Sequence, residues 1–222
     1  MSAGRAAEAR PALASVSRPA WEPGLRLVWL HATSRRVPAT LSALAACGIG
    51  LRIALIGHWS ASGALLLPLI IEAAAVCVVS VSTASPLGEP ERVAGRWLPW
   101  LRLGEALALT AIAVGALAAG ALGGHLSGGT LDVLRNVAGV TGIGFLCAAV
   151  LGGGLAWTGP TAYLIAGVYG LYTPWHSSAI TTPWLWPGRP PHDLGAAICA
   201  GLVFACGLTV FTVRGARDRA EE

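Results

Sequence analysis

Six long apolar segments divide the chain, and polar or proline-rich stretches separate them. A helix needs about 20 predominantly apolar residues to cross the hydrocarbon core of a bilayer. We predict membrane-spanning helices at 37–58, 64–83, 98–122, 131–157, 161–175 and 194–213. The fifth is short for a full crossing, and Thr158-Gly159-Pro160 is predicted to break the chain after the fourth. The pattern therefore predicts an all-α, polytopic membrane protein with a six-helix transmembrane domain over 37–213.

The stretches outside these segments differ in character. Residues 1–20 are rich in Ala, Pro, Ser and Arg, and are predicted to form a disordered tail. Between 21 and 36, apolar residues at helical spacing alternate with arginines, which predicts a helix lying at the membrane surface. The proline-rich stretch 180–193 cannot form one continuous helix, and we interpret it as an external surface or re-entrant element. Residues 214–222 form a polar tail.

Arginine distribution predicts the orientation. All 15 basic residues are arginines: six lie in 1–36, three in 85–102 and three in 214–222. Because positive residues favour the cytoplasmic side, both termini and 85–102 are predicted to be cytoplasmic, which requires an even number of crossings. The net charge of +4 follows from this asymmetry and requires no nucleic-acid partner. Only 12% of residues are charged, about half the fraction of a soluble domain.

Three charged residues lie more than five residues from either end of a predicted span: Arg52, Glu72 and Glu105. Intramembrane charges are costly and usually have a partner. Arg52 and Glu72 differ in depth by roughly 5 Å at the helical rise, so an ion pair between the first two helices is predicted. Such a pair would either line a translocation path or subunit interface, or join two helices structurally. Glu105 can pair with Arg102 or lie partly solvated near the cytoplasmic end.

Other residue patterns favour structural roles. Asp132 and Arg135 are spaced for a local ion pair in the fourth span. The five cysteines lie in apolar runs and are interpreted as small packing residues. His192-Asp193 has no second ligand pair at useful spacing, so no metal site is predicted. Small residues that permit close helix contacts recur at Gly120, Gly124, Gly139, Gly142, Gly144 and Gly152.

A polar, basic stretch, SPLGEPERVAGRWLPWLR at 85–102, separates the second and third spans. A predicted interfacial helix, this loop and the broken aromatic element before the last span occur in an order that resembles the membrane subunits of ABC-2 type exporters. The resemblance covers the layout of nearly the whole chain. It implies six spans per subunit, with two subunits, either a homodimer or a pair with a second permease subunit, forming the pathway in the lipid membrane.

The resemblance also implies roles for particular residues. In that family, the loop between spans two and three contains a coupling helix that docks on a separate ATPase subunit. The matching positions here are Gly88, Glu89, Glu91, Arg92 and Arg96. Residues 173–191 would match the external re-entrant helices, with tryptophans at Trp175, Trp184 and Trp186.

The absence of lysine limits the chemistry of the chain. A P-loop requires a lysine, so any ATP must bind to a partner subunit, and no cofactor is predicted here. We expect a non-enzymatic permease subunit for a hydrophobic or amphipathic substrate. The alternatives are a membrane accessory or scaffold protein without transport activity and, with no catalytic constellation visible, an intramembrane enzyme. Abundant Ala, Gly, Arg and Pro indicate a high-GC genome, and we expect a bacterial plasma membrane.

Overall fold

A computed structural model of the protein describes residues 37–57, 61–83, 98–124, 129–172, 184–190 and 192–216. Within these ranges the chain forms α-helices and two short 3-10 turns, and it forms no strand. Four predicted features lie outside the described residues: the tail 1–20, the interfacial helix 21–36, the last residues of the C-terminal tail, and Trp175. The same is true of the predicted ATPase contact, Gly88, Glu89, Glu91, Arg92 and Arg96.

Each apolar segment forms a helix, because a helix pairs its backbone groups within one segment and so needs no water to satisfy them. The helices are α1 (Val37–Ile56), α2 (Ala61–Ser82), α3 (Leu98–Ala121), α4 (Gly129–Leu151), α5 (Thr158–Tyr172) and α6 (Leu194–Arg214). Four of them, α1, α3, α4 and α6, are long and apolar enough to cross a membrane. The predicted all-α class is confirmed, and these four helices are compatible with a multi-pass membrane protein.

The boundary between α4 and α5 differs from the prediction. Gly152, at a φ of 91°, ends α4 six residues before the predicted break, and a 3-10 turn at Gly153–Leu155 follows. Thr158, Gly159 and Pro160 do not break the chain but form the first turn of α5. Proline fits there because the first turn of a helix leaves its N–H groups unpaired in any case.

Helix α4 lies at the centre of the bundle and packs against α2, α3, α5 and α6. It has 12 buried residues, whereas α1 and α6 have four each. On α1 the buried positions, Thr40, Leu44, Gly48 and Leu51, follow one helical face. The opposite faces of α1 and α6 expose large apolar side chains, as a membrane protein does toward lipid.

Glycines bring two pairs of helices into close contact. A Cβ at Gly48 of α1 would lie 2.6 Å from the carbonyl oxygen of Ala116 in α3. A Cβ at Gly142 of α4 would lie 2.5 Å from the carbonyl oxygen of Val203 in α6. Both distances are far shorter than any real contact, so only glycine permits these backbones to approach so closely.

A short aromatic segment, 184–190, precedes α6 and contains a 3-10 turn at Trp186–Gly188. Trp186 is 2% exposed and contacts both α4 and α5. Asp193 then begins α6, since its side chain accepts a hydrogen bond of 3.1 Å from the Ala196 N–H and pairs with Arg189 at 2.8 Å. We call this end of the bundle, where α4 and α6 begin, the Trp186 end.

Candidate functional site

A cleft with about 300 Å³ of empty space, including its mouth, opens between α2, α4 and α5. Its polar lining consists of Glu72 from α2, Asn136 from α4 and Tyr163 from α5. Apolar side chains and one glycine form the remaining walls: Leu69, Ala73, Val76, Val140, Pro160, Leu164, Gly167 and Pro187. Pro187 belongs to the 184–190 segment, so that segment contributes the wall nearest the Trp186 end.

Glu72 and Asn136 form a polar pair inside the cleft. The Asn136 Nδ2 donates a hydrogen bond of 3.1 Å to the Glu72 Oε2, and both side chains are 5% exposed. Within the described part of the chain, Asn136 is the hydrogen-bond partner of Glu72, and the Asn136 Oδ1 has no partner. Burying polar groups with incomplete pairing is costly, and intramembrane carboxyl groups are commonly functional for this reason.

Tyr163 joins the cleft to the aromatic segment. Its hydroxyl donates a hydrogen bond of 2.9 Å to the carbonyl oxygen of Trp184, and its ring stacks on Trp186 with the centroids 4.6 Å apart. The hydroxyl therefore bonds to the 184–190 segment, while the ring lines the cleft. Stacked aromatic pairs of this kind contribute about 0.5–1.5 kcal/mol beyond the area they bury.

Arg135 fixes the aromatic segment to α4. Its guanidinium donates to the carbonyl oxygens of Trp186 at 2.7 Å and Pro190 at 2.9 Å, and more weakly to that of Arg189 at 3.3 Å. It also forms the predicted ion pair with Asp132, one turn earlier on α4. The local pair is thus confirmed, and the additional contacts make Arg135 the anchor of the 184–190 segment.

The predicted ion pair between Arg52 and Glu72 is not formed. Arg52 of α1 instead donates to the carbonyl oxygen of Leu122, just beyond the end of α3, where unpaired helix carbonyls attract cations. Glu72 faces α4 and bonds to Asn136. The prediction rested on depth in the membrane, and depth does not specify which neighbour a side chain faces.

The other predicted site residues are dispersed. Glu105 lies on α3, half-buried and outside the cleft. Trp184 is half exposed, and Trp186 is buried against the cleft wall. The structure therefore brings Glu72, Trp184 and Trp186 into one region and leaves Arg52 and Glu105 elsewhere.

Two residues of the cleft, Asn136 and Tyr163, were not predicted from the sequence. Asn136 is the single asparagine of the chain, and it lies within an apolar run. An isolated amide in such a run favours a hydrogen bond to another helix, so this signal could have identified it. Tyr163 carries no comparable signal, because tyrosines occur both at membrane interfaces and in ordinary cores.

The arrangement provides hydrogen-bond acceptors in an apolar space. The Glu72 carboxyl and the Asn136 amide oxygen accept, and the Tyr163 hydroxyl is committed to a backbone carbonyl. Such a cleft suits binding of a small donor group attached to an apolar body. Comparison of the chain with protein families, with curated proteins and with solved structures found no match.

Proposed function

We propose that the chain is the membrane subunit of an ABC-2-like exporter that works with a separate ATPase subunit on a hydrophobic or amphipathic substrate. The observation that carries the proposal is the aromatic segment between α5 and α6. Trp186 is 2% exposed there, and Arg135 holds three backbone carbonyls of the segment. A segment that folds back into the bundle at this point in the chain supports the proposal, because the resemblance to the exporter family implies an external re-entrant element here.

The directions of the helices support six crossings. Arg52 near the end of α1 contacts Leu122 at the end of α3, so these two helices run in the same direction. Two parallel spans need a return crossing between them, and α2, with 22 residues, extends over about 33 Å, enough for the hydrocarbon core.

The same argument applies to α4 and α6. A Cβ at Gly139 would contact Ala200, and one at Gly142 would contact Phe204, so the two helices also run parallel. Helix α5 must then cross the membrane in the opposite direction, between α4 and α6. Its 15 residues extend over about 22 Å, short of the roughly 30 Å core, and the 184–190 segment packs beside the middle of the helix, near Tyr163 and Gly167.

The cleft supports transport rather than a purely structural role. A structural bundle has no need of a buried carboxyl with a single amide partner beside empty space, because apolar packing costs less. The lack of lysine assigns ATP hydrolysis to another chain. The docking surface for that chain stays a prediction, centred on Glu89 and Glu91 of the 85–102 loop.

Affinity purification in mild detergent tests the proposal. We expect the tagged wild-type chain to recover a nucleotide-binding subunit with a Walker-A sequence. The double charge reversal Glu89→Arg with Glu91→Arg should sharply reduce this recovery while membrane insertion stays normal. Asp218→Arg in the C-terminal tail is the matched control and should recover the subunit as the wild type does.

Two results would count against the proposal. Recovery of no nucleotide-binding subunit by the wild-type chain would favour the accessory or scaffold role instead. Undiminished recovery by the double charge reversal would remove the 85–102 loop from the interface.

A further inference from the structure

Among the residues that the structure describes, the polar groups of the cleft have no positively charged partner. Glu72 is 5% exposed and bonds to the neutral amide of Asn136. The nearest cation along α4, Arg135, is already engaged with Asp132 and with three backbone carbonyls of the 184–190 segment. A carboxyl group in such surroundings is stabilised most by a cation that also donates hydrogen bonds.

The free hydrogen-bonding capacity of the cleft includes a buried acceptor. The Asn136 Oδ1 is buried and has no partner among the described residues, and it lies on the same side chain that holds Glu72. Tyr163, the other polar lining residue, donates its proton to Trp184 and offers no donor to a ligand. A ligand that pairs with this oxygen must therefore bring a donor. A primary ammonium group brings three donors and a positive charge, whereas a carboxylate or phosphate would be repelled by Glu72.

The size and walls of the cleft define the rest of the ligand. The enclosed part of the cleft has room for one group about the size of a water molecule, and the roughly 300 Å³ of empty space includes the open mouth. Four aliphatic side chains and two prolines line it: Leu69, Val76, Val140, Leu164, Pro160 and Pro187. The enclosed space therefore suits the charged head group, and the apolar walls suit a short hydrocarbon chain that extends from it through the mouth.

We propose that the cleft between α2, α4 and α5 binds the protonated primary amine of a small amphipathic molecule, with Glu72 and Asn136 as its acceptors. This rests on the proposed function in one respect, since the amine is then the head group of the exported substrate. The binding itself requires only this chain.

Photo-crosslinking of the purified chain in lipid nanodiscs tests the site. The probe is a diazirine-bearing hexylamine, and mass spectrometry maps the labelled peptides. We expect labelling of peptides from α2, α4 and α5 that line the cleft. Excess n-hexylamine should suppress this labelling, while 1-hexanol should compete far less and hexanoate not at all.

Two variants test the site in different ways, one by removing its charge and one by filling its space. Glu72→Gln keeps an acceptor for Asn136 but removes the charge, and should reduce cleft labelling by at least about tenfold. Glu105→Gln makes the same chemical change on α3, outside the cleft, and should label as the wild type does. Gly167→Leu leaves Glu72 unchanged and fills the cleft. Among the described residues, a Cβ at Gly167 would meet only Pro187, at 3.8 Å, so the helix should tolerate it, and labelling should fall.

Several results would overturn the site. The first is that hexanoate suppresses the labelling as well as n-hexylamine does. The second is that Glu72→Gln or Gly167→Leu is labelled as fully as the wild type. If Glu72→Gln fails to elute as a folded species in size-exclusion chromatography, the labelling of Gly167→Leu alone tests the site. The labelling is measured without an ATPase subunit. If the wild-type cleft is not labelled but the ATPase subunit is recovered, only the amine site is overturned. If the cleft is labelled but no ATPase subunit is recovered, the amine site stands and its role in export is overturned.

Discussion

Arg135 and Asn136 are adjacent in sequence, yet they serve different parts of the structure. Arg135 reaches the carbonyl oxygens of the 184–190 segment, and Asn136 reaches Glu72 on α2. One turn of α4 therefore connects the aromatic segment to the polar cleft. Because both side chains are buried, a change at either position leaves polar groups of another element without a partner.

The Glu72–Asn136 hydrogen bond should be measurable as a coupling energy. We expect Glu72→Leu and Asn136→Leu each to destabilise the bundle, with the double variant less destabilised than the sum of the two. Interhelical hydrogen bonds in membranes are worth about 0.6 kcal/mol on average and up to about 1.7 kcal/mol, so coupling in this range is expected. Unfolding in mixed micelles with increasing dodecyl sulfate provides the free energies.

Glu105→Leu combined with Asn136→Leu is the control cycle. Glu105 lies on α3 outside the cleft, so these two changes should be additive within about 0.5 kcal/mol. Coupling as large in this cycle as in the first, or no coupling in the first, would mean that the hydrogen bond contributes nothing to stability.

Glycine spacing predicted close helix contacts but not the helices that make them. Gly120, Gly142 and Gly144 do lie where another element approaches, as expected from the sequence. Their partners, among them Gly48 and Gly207, were not predicted, since a pattern of small residues marks a face of one helix and carries no information on its neighbour. The same limit explains the wrong partner assigned to Glu72.

Helix α6 permits a matched test of these contacts. A Cβ at Gly207 would collide with the carbonyl oxygen of Gly142, whereas a Cβ at Gly201 would meet nothing within 4 Å in the described part of the chain. Gly207→Ala should therefore lower the free energy of unfolding by about 1–3 kcal/mol, as overpacking does. Gly201→Ala should leave it unchanged or slightly raised, because alanine favours a helix. Equal effects of the two changes would mean that α4 and α6 do not meet closely at Gly207.

The starts of three helices were the most predictable part of the molecule. The starts of α1, α3 and α6 agree with the predicted 37, 98 and 194, because an apolar run bounded by polar residues defines a span without tertiary information. The cleft was not predictable in this way. It depends on the rotation of α2, α4 and α5 about their own axes, and none of their sequences has an apolar stripe that would specify it.

The number of crossings is the property on which orientation, loop positions and the proposed ATPase contact all depend. If α2 and α5 cross the membrane, the 85–102 loop lies in the cytoplasm and the 125–128 loop lies outside. If α1, α3, α4 and α6 alone crossed, both loops would change sides while the two termini would not. The loops therefore distinguish six crossings from four, although the termini cannot.

Cysteine labelling in intact cells tests this directly. The five native cysteines are first replaced by alanine, and Ser85→Cys or Ser127→Cys is then introduced alone. Because α1 and α3 run parallel, we expect six crossings, and a membrane-impermeant maleimide should label Ser127→Cys and not Ser85→Cys. Permeabilised cells, in which both should react, provide the control. Labelling of Ser85→Cys with protection of Ser127→Cys would reduce the crossings to four and place the loop of Glu89 and Glu91 beyond the reach of a cytoplasmic ATPase.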